Sequence, residues 1–146
     1  MATVVPGRPP ASFRIIAVVL LLWGLMGCLA AWSQLGMSAA DIAALPEPDR
    51  SIWAGMPGWA KATYAGAVAA GLAGAIALLL RRALARPLFL ASLVLVVVQF
   101  AYTFLGTDLL ALKGAAATVP FPLFIIAMAV FQLWYAGRAQ VRGWLR

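Results

Sequence analysis

The side chains in this sequence with the most chemical capacity are a few polar groups set inside apolar runs. Ser92, Gln99, Tyr102, Thr103 and Gly106 fall within one uncharged stretch, and Gln132 falls within another. Spacings of three, four and seven place Ser92, Gln99, Thr103 and Gly106 on one face of a helix. At 1.5 Å per residue, Gln99 stands roughly 18 Å beyond Pro87 and Gln132 roughly 9 Å from Arg138, so the two amides are offset in depth. Hydroxyls and carboxamides exchange hydrogen bonds but do not shuttle protons at neutral pH. In hydrocarbon an amide that faces lipid is costly, so these groups are expected to point inward. Two uses follow: bonds between helices, or an intramembrane polar site for a small solute or a lipid headgroup, with Ser92, Gln99, Tyr102, Thr103 and Gln132 as its members.

What is missing narrows the chemistry further. The chain has 146 residues, no His and one Cys, which excludes an intrachain disulfide and any His-ligated metal or haem. No Asp, Glu, Lys or Arg interrupts the apolar runs, whereas proton-coupled carriers place an ionisable group at membrane depth. No paired carboxylates, base-activated nucleophile or phosphate-cradling glycine loop is present. No catalytic residue, metal ligand or cofactor is expected, and the chain is not read as an enzyme.

A second pattern is one of small residues. Gly66, Ala70 and Gly74 repeat at four, with Ala67, Gly71 and Ala75 beside them. Small side chains let helix axes approach closely, and in lipid such packing takes the place of the hydrophobic drive. Gly66, Ala70, Gly71 and Gly74 are therefore a helix-packing face, used either inside one bundle or between two copies. Gly24 and Cys28, also four apart, offer an opposing surface. Leu25-Met26-Gly27-Cys28 resembles a lipoprotein processing site, but the apolar run continues through Trp32, so Cys28 is read as a packed, inert thiol.

The elements that position these residues are four spans. The composition is 65% hydrophobic and 10% charged, far from the quarter charged residues of a soluble domain. The windows 15–40, 62–80, 87–107 and 114–137 carry no charge, and each can hold a helix of about 20 residues. Continuous apolarity, with no period-two alternation, favours helices over strands. The spans are expected at 13–34, 59–80, 87–107 and 118–137, with an outer loop at 36–58 and a tail at 138–146 lying along the membrane surface. Ser38 followed by Asp41 predicts a short outer helix over 39–45, ended by Pro46 and Pro48. Trp53, Trp59, Trp134 and Tyr135 are expected at headgroup level as interface anchors.

Orientation follows from the basic residues. Arg8, Arg14, Arg81, Arg82, Arg86, Arg138, Arg142 and Arg146 flank one side of the spans, against Arg50, Lys61 and Lys113 on the other. Eight against three places both termini in the cytoplasm. The net charge of +7 thus serves topology, with Arg81, Arg82, Arg86, Arg138 and Arg142 at the lipid headgroups. It forms no basic stripe interleaved with stacking aromatics, so no nucleic-acid partner is expected. The expected fold is an all-α membrane protein: an up-down-up-down bundle of four transmembrane helices in one domain, with a short periplasmic helix in the first loop.

The whole chain resembles a family of small four-span proteobacterial proteins often labelled loosely as sugar transporters. The resemblance rests on Leu22-Trp23-Gly24-Leu25-Met26-Gly27, on Pro57-Gly58-Trp59-Ala60, on Arg86-Pro87-Leu88-Phe89-Leu90-Ala91-Ser92-Leu93 continuing to Gln99, and on Arg142-Gly143-Trp144-Leu145-Arg146. Gly24 stands where an Asn is commoner in that family. The resemblance implies a bacterial inner-membrane location and a transport-related role. The residues by themselves favour a non-enzymatic membrane protein acting through helix–helix association, as a homodimer or a subunit of an envelope assembly. Small-solute transport is the alternative, and binding of a lipid or hydrophobe is the third reading. The lipid bilayer is the one partner common to all three.

Overall fold

A computed structural model describes residues 9–47, 49–107 and 109–145. Among these residues all regular structure is helical, in the order α1 (Ala11–Leu35), α2 (Ala39–Ala43), α3 (Asp49–Ala54), α4 (Gly58–Leu79), α5 (Ala85–Gly106), α6 (Leu109–Lys113), α7 (Ala115–Thr118) and α8 (Pro120–Val141). Four of them, α1, α4, α5 and α8, are each long and apolar enough to cross a membrane. The chain is therefore all-helical and, by the length and composition of these helices, a multi-pass membrane protein. Their outer surfaces are apolar, with Leu29, Trp32, Leu105 and Phe121 exposed, as lipid-facing surfaces are.

Neighbours in sequence are neighbours in space: α1 packs on α4, α4 on α5, and α5 on α8. Large rings close the circuit between α8 and α1. Phe13 stacks on Tyr135 at 6.2 Å between centroids, and Trp23 meets Phe124 edge-on at 5.5 Å. The main core lies at the arginine-rich end of the bundle. Phe13, Leu20, Leu78 and Phe89 are fully buried there, packed with Tyr135, Ala136 and Leu145.

The local signals act as their chemistry requires. Pro87 falls in the first turn of α5, and Pro120 and Pro122 open α8, where first-turn amides have no helical partner to lose. At α2 the Ser38 hydroxyl accepts from the Asp41 amide at 3.2 Å, and the Asp41 carboxylate accepts from the Ser38 amide at 3.0 Å. These two bonds make a reciprocal capping box.

Several boundaries differ from the sequence expectation. The short helix α2 ends at Ala43, two residues before Leu45, because Pro46 follows. A further short helix, α3, occupies the expected loop, and α6 and α7 fill the connection before α8. Between α7 and α8 the chain breaks at Val119, so the last long helix starts at Pro120 and not at Thr118. It also runs on through Arg138 to Val141. The tail beyond it turns inward: Leu145 is buried in the core, and Trp144 meets Phe13 edge-on at 5.6 Å. Burial of these two apolar side chains outweighs the attraction of a flat surface position. Pro48, Asp108 and Arg146 lie outside the described residues.

Candidate functional site

The small-residue face of α4 is occupied within the chain, on two sides. Toward α5, a β-carbon on Gly74 would stand 2.7 Å from Cδ1 of Phe89, one on Gly71 3.2 Å from Ser92 Oγ, and one on Gly66 3.2 Å from Leu95 Cδ1. Toward α1, a β-carbon on Gly24 would come within 3.1 Å of the Leu72 Cα, and Cys28 Sγ lies 3.6 Å from the Val68 carbonyl. Ala70 is half-buried beside them. These glycines are where backbones approach closely, and α4 is the helix around which α1 and α5 are laid.

The polar face of α5 follows this contact inward. Ser92 is buried, and its hydroxyl donates to the Ala67 carbonyl of α4 at 2.8 Å. Thr103 donates to the Gln99 carbonyl of its own helix at 3.0 Å, and Thr107 donates to the Thr103 carbonyl. Tyr102 sits beside Trp59, ring edge to ring face, at 5.0 Å. The two glutamines differ from all of these. Gln99 is 8% exposed and Gln132 3%, yet Gln99 Oε1 and Gln132 Nε2 have no hydrogen-bond partner.

Register explains why they do not satisfy each other. Arg86, near the start of α5, lies against Gly137 of α8, with Nε 3.7 Å from the position of a β-carbon there. Counting 1.5 Å per residue from that level places Ser92 at roughly 9 Å, Gln132 at roughly 8 Å and Gln99 at roughly 20 Å. A gap of about 12 Å between the amides exceeds hydrogen-bond reach. The Ser92 hydroxyl, level with Gln132, donates instead to α4. Sequence spacing identified the face and the depth offset. It carried no sign that both amides would be left with unpaired atoms.

At the far end from the arginines, a shallow recess of about 230 Å³ opens between α3 and the end of α5. Ser51, Ile52 and Gly55 line one side, and Tyr102, Gly106 and Thr107 the other. A Lys113–Asp49 ion pair at 2.7 Å ties α6 to α3 beside it. Tyr64 of α4 donates to Gln34 Oε1 of α1 at 2.7 Å near the same end. Thr103 and Gln99 lie outside the recess lining, Gln99 about one turn below Tyr102 on the same helix.

The five arginines expected at headgroup level separate into different environments. Arg81 donates from Nε to the Trp144 carbonyl at 2.9 Å, and Arg82 is exposed. Arg86, Arg138 and Arg142 share one cavity. Of the expected aromatic anchors, Trp59 and Trp134 are exposed and Trp53 half-buried. Tyr135 turns into the core, 7% exposed and stacked between Phe13 and Phe131, because the bulk of α8 at this level is needed to fill the space beside α1. Among the described residues no group of His, Cys, Asp or Glu is placed to hold a metal ion. Comparisons with protein-family models, with curated proteins and with solved structures give no match.

Proposed function

We propose that this chain is a non-enzymatic inner-membrane protein that acts by binding within the bilayer, with the seam between α5 and α8 as its working element. In this reading the helices cross up-down-up-down, the arginine-rich end and both termini are cytoplasmic, and α2 and α3 are periplasmic. The eight-to-three distribution of basic residues supports that orientation. A reporter fused after Arg146 is expected to be inactive in the periplasm, and an active one would reverse the topology.

The observation that carries the binding role is the pair of unpartnered amide atoms, Gln99 Oε1 and Gln132 Nε2. A buried polar group without a partner costs about 1–3 kcal/mol, and hydrocarbon offers no water to relieve it. Both atoms are enclosed in the closed bundle, so a membrane-embedded partner, either a second copy or another subunit, would reach them by parting the helices that cover them. The closely packed α4 face is already filled by α1 and α5, which leaves Gln99 of α5 and Gln132 of α8 as the described buried side chains with unmet hydrogen-bonding capacity.

The test separates binding from simple interhelical glue. Gln99→Leu and Gln132→Leu remove the orphaned atoms, so the isolated chain should be unchanged or more resistant to unfolding, while in-membrane crosslinking to a partner is lost. Destabilisation of the isolated chain by both substitutions would make the amides structural glue, and undiminished crosslinking would remove the seam from association.

A second reading, small-solute transport, is favoured by the recess lined by Tyr102 and Gly106, on the helix that carries Gln99 about one turn deeper than Tyr102. Uptake of a sugar into liposomes by purified protein, abolished by Gln99→Leu, is the outcome that selects it over association.

A further inference from the structure

At the arginine-rich end, α5 and α8 border an open cavity of about 470 Å³. Arg86 contributes one wall from the first turn of α5; Arg138 and Arg142, one turn apart, contribute another from the end of α8. The remaining lining is apolar: Leu133, Trp134, Gly137 and Val141. Three guanidiniums therefore converge on a space whose other walls are hydrocarbon.

Among the described residues their charges are held in place without an ion pair. Arg86 donates to Gln140 Oε1 at 3.5 Å and lies over Gly137. The Arg138 guanidinium stands 5.6 Å over the Trp134 ring, and that of Arg142 stands 5.6 Å from the Trp144 ring. Cation–π contact orients a guanidinium while leaving its N–H donors free for an anion. The chain's four acids, Asp41, Glu47, Asp49 and Asp108, all fall in the two loops at the opposite end of the sequence's spans. Like charges one helical turn apart repel by roughly a few tenths of a kcal/mol, and an anion between them relieves that repulsion. Guanidinium is the group best matched to phosphate, which it grips bidentately.

We infer that Arg86, Arg138 and Arg142 form a binding site for the phosphate of an anionic glycerophospholipid, with Trp134 and Leu133 receiving the upper part of its acyl chains. The apolar wall decides for a lipid over a free phosphate ion. Trp134 is 56% exposed one turn below Arg138, toward the middle of the span, where a soluble anion would leave it uncovered. The cavity also sits at the ends of two spanning helices, the depth at which phosphates of the bilayer lie. The site is separate from the buried amides and does not depend on the association reading, since it needs only that this end of the bundle meets a bilayer surface.

Native mass spectrometry of the full-length protein from detergent, titrated with phosphatidylglycerol or phosphatidylcholine, tests the site. The wild-type chain should retain phosphatidylglycerol at least tenfold more tightly than phosphatidylcholine; equal retention would overturn the inference. Arg86→Gln, Arg138→Gln and Arg142→Gln should each weaken phosphatidylglycerol about fivefold, while Arg50→Gln at the opposite end changes nothing. Equal weakening by Arg50→Gln would reduce the effect to net charge and also overturn it. Gly137→Leu keeps every charge but fills the cavity floor, and should abolish the selectivity; retained selectivity means the cavity is not the site. Displacement of the lipid by millimolar inorganic phosphate would reassign the pocket to the free ion.

Discussion

Arg81 Nε donates to the main-chain carbonyl of Trp144 at 2.9 Å, and this bond joins the C-terminal caps of two spanning helices. Both caps have the same form. At the end of α4 the amide of Arg81 donates to the Leu78 carbonyl and that of Arg82 to the Ala77 carbonyl, at 3.0 and 2.8 Å. At the end of α8 the amides of Gly143 and Trp144 donate to Gln140 and Ala139, at 3.1 and 2.9 Å. Each is a Schellman motif, which requires a left-handed residue just past the helix. Gly143 supplies it at φ 75° without penalty, whereas Arg81 adopts φ 59° with a β-carbon in place. The guanidinium bond, and the favourable position of a cation at a helix C-terminus, offset that strain.

This predicts an inverted order of substitutions at position 81. Arg81→Ala keeps the left-handed strain and loses the charge-assisted bond, costing about 2 kcal/mol. Arg81→Gly loses the same bond but regains about 1 kcal/mol from relief of the strain. Glycine should therefore be the milder change, as read by denaturant unfolding in micelles. A glycine variant less stable than the alanine variant would mean that the cap is not strained.

The glycines of α4 should respond in proportion to what faces them. Gly74→Ala drives a methyl to 2.7 Å from Phe89, which is fully buried and has no space to retreat, so a loss of about 2–3 kcal/mol is expected. Gly66→Ala meets only the terminal methyl of Leu95 at 3.2 Å and should cost less than about 1 kcal/mol. Combining Gly74→Ala with Phe89→Leu should recover part of the loss, since the neighbours share one space. Equal costs at positions 66 and 74 would show that α5 sits differently on α4.

Much of this architecture is legible in the residues, and the limits are physical. Charge-free windows locate the spans because hydrocarbon excludes charge wherever the chain crosses it. Gly66, Gly71 and Gly74 announce close packing, but spacing alone does not say whether the second helix belongs to the same chain. The Phe89, Ser92 and Leu95 side chains answer that, from a helix whose own pattern gives no hint of it. The short helices α3, α6 and α7 are too brief for periodicity to register. Tyr135 reads as an anchor because it follows Trp134 at a span's end; one residue of rotation, about 100°, puts it inside the bundle instead. The unpaired atoms of Gln99 and Gln132 depend on the register of α5 against α8, which no single-helix pattern encodes.

The α2 capping box should weaken in acid. The Ser38 backbone N–H, and after it the Ser38 hydroxyl, hold the Asp41 carboxyl below its ordinary value of 3.8 by favouring the ionised form. A folded value below the unfolded one means that the contribution is complete above the ordinary value and is lost as pH falls through the lower folded one. The protection factor of the Asp41 amide, corrected for intrinsic exchange, should therefore fall below about pH 4 in the wild type. Asp41→Asn should remove most of that dependence, and an unchanged pH profile in the variant would assign it to another group.

The Asp49–Lys113 pair links α3 of the first loop to α6 of the third, and its energetic weight should be small. Both side chains are about one-third exposed, so solvent screens the 2.7 Å contact. A double-mutant cycle with Asp49→Ala and Lys113→Ala should give a coupling of about 0.5–1 kcal/mol that shrinks as salt is raised. The loops are short and each is anchored at both ends by spanning helices, so the single variants should leave the bundle folded. Their effect should be local, with the recess beside Tyr102 and Gly106 opening wider as α3 and α6 separate. A thiol reagent directed at Ser51→Cys reads that opening directly: Lys113→Ala should raise its reaction rate several-fold without shifting the unfolding midpoint of the bundle by more than the coupling energy allows. If the rate stays constant while the midpoint falls, the ion pair acts on the stability of the bundle and not on access to the recess.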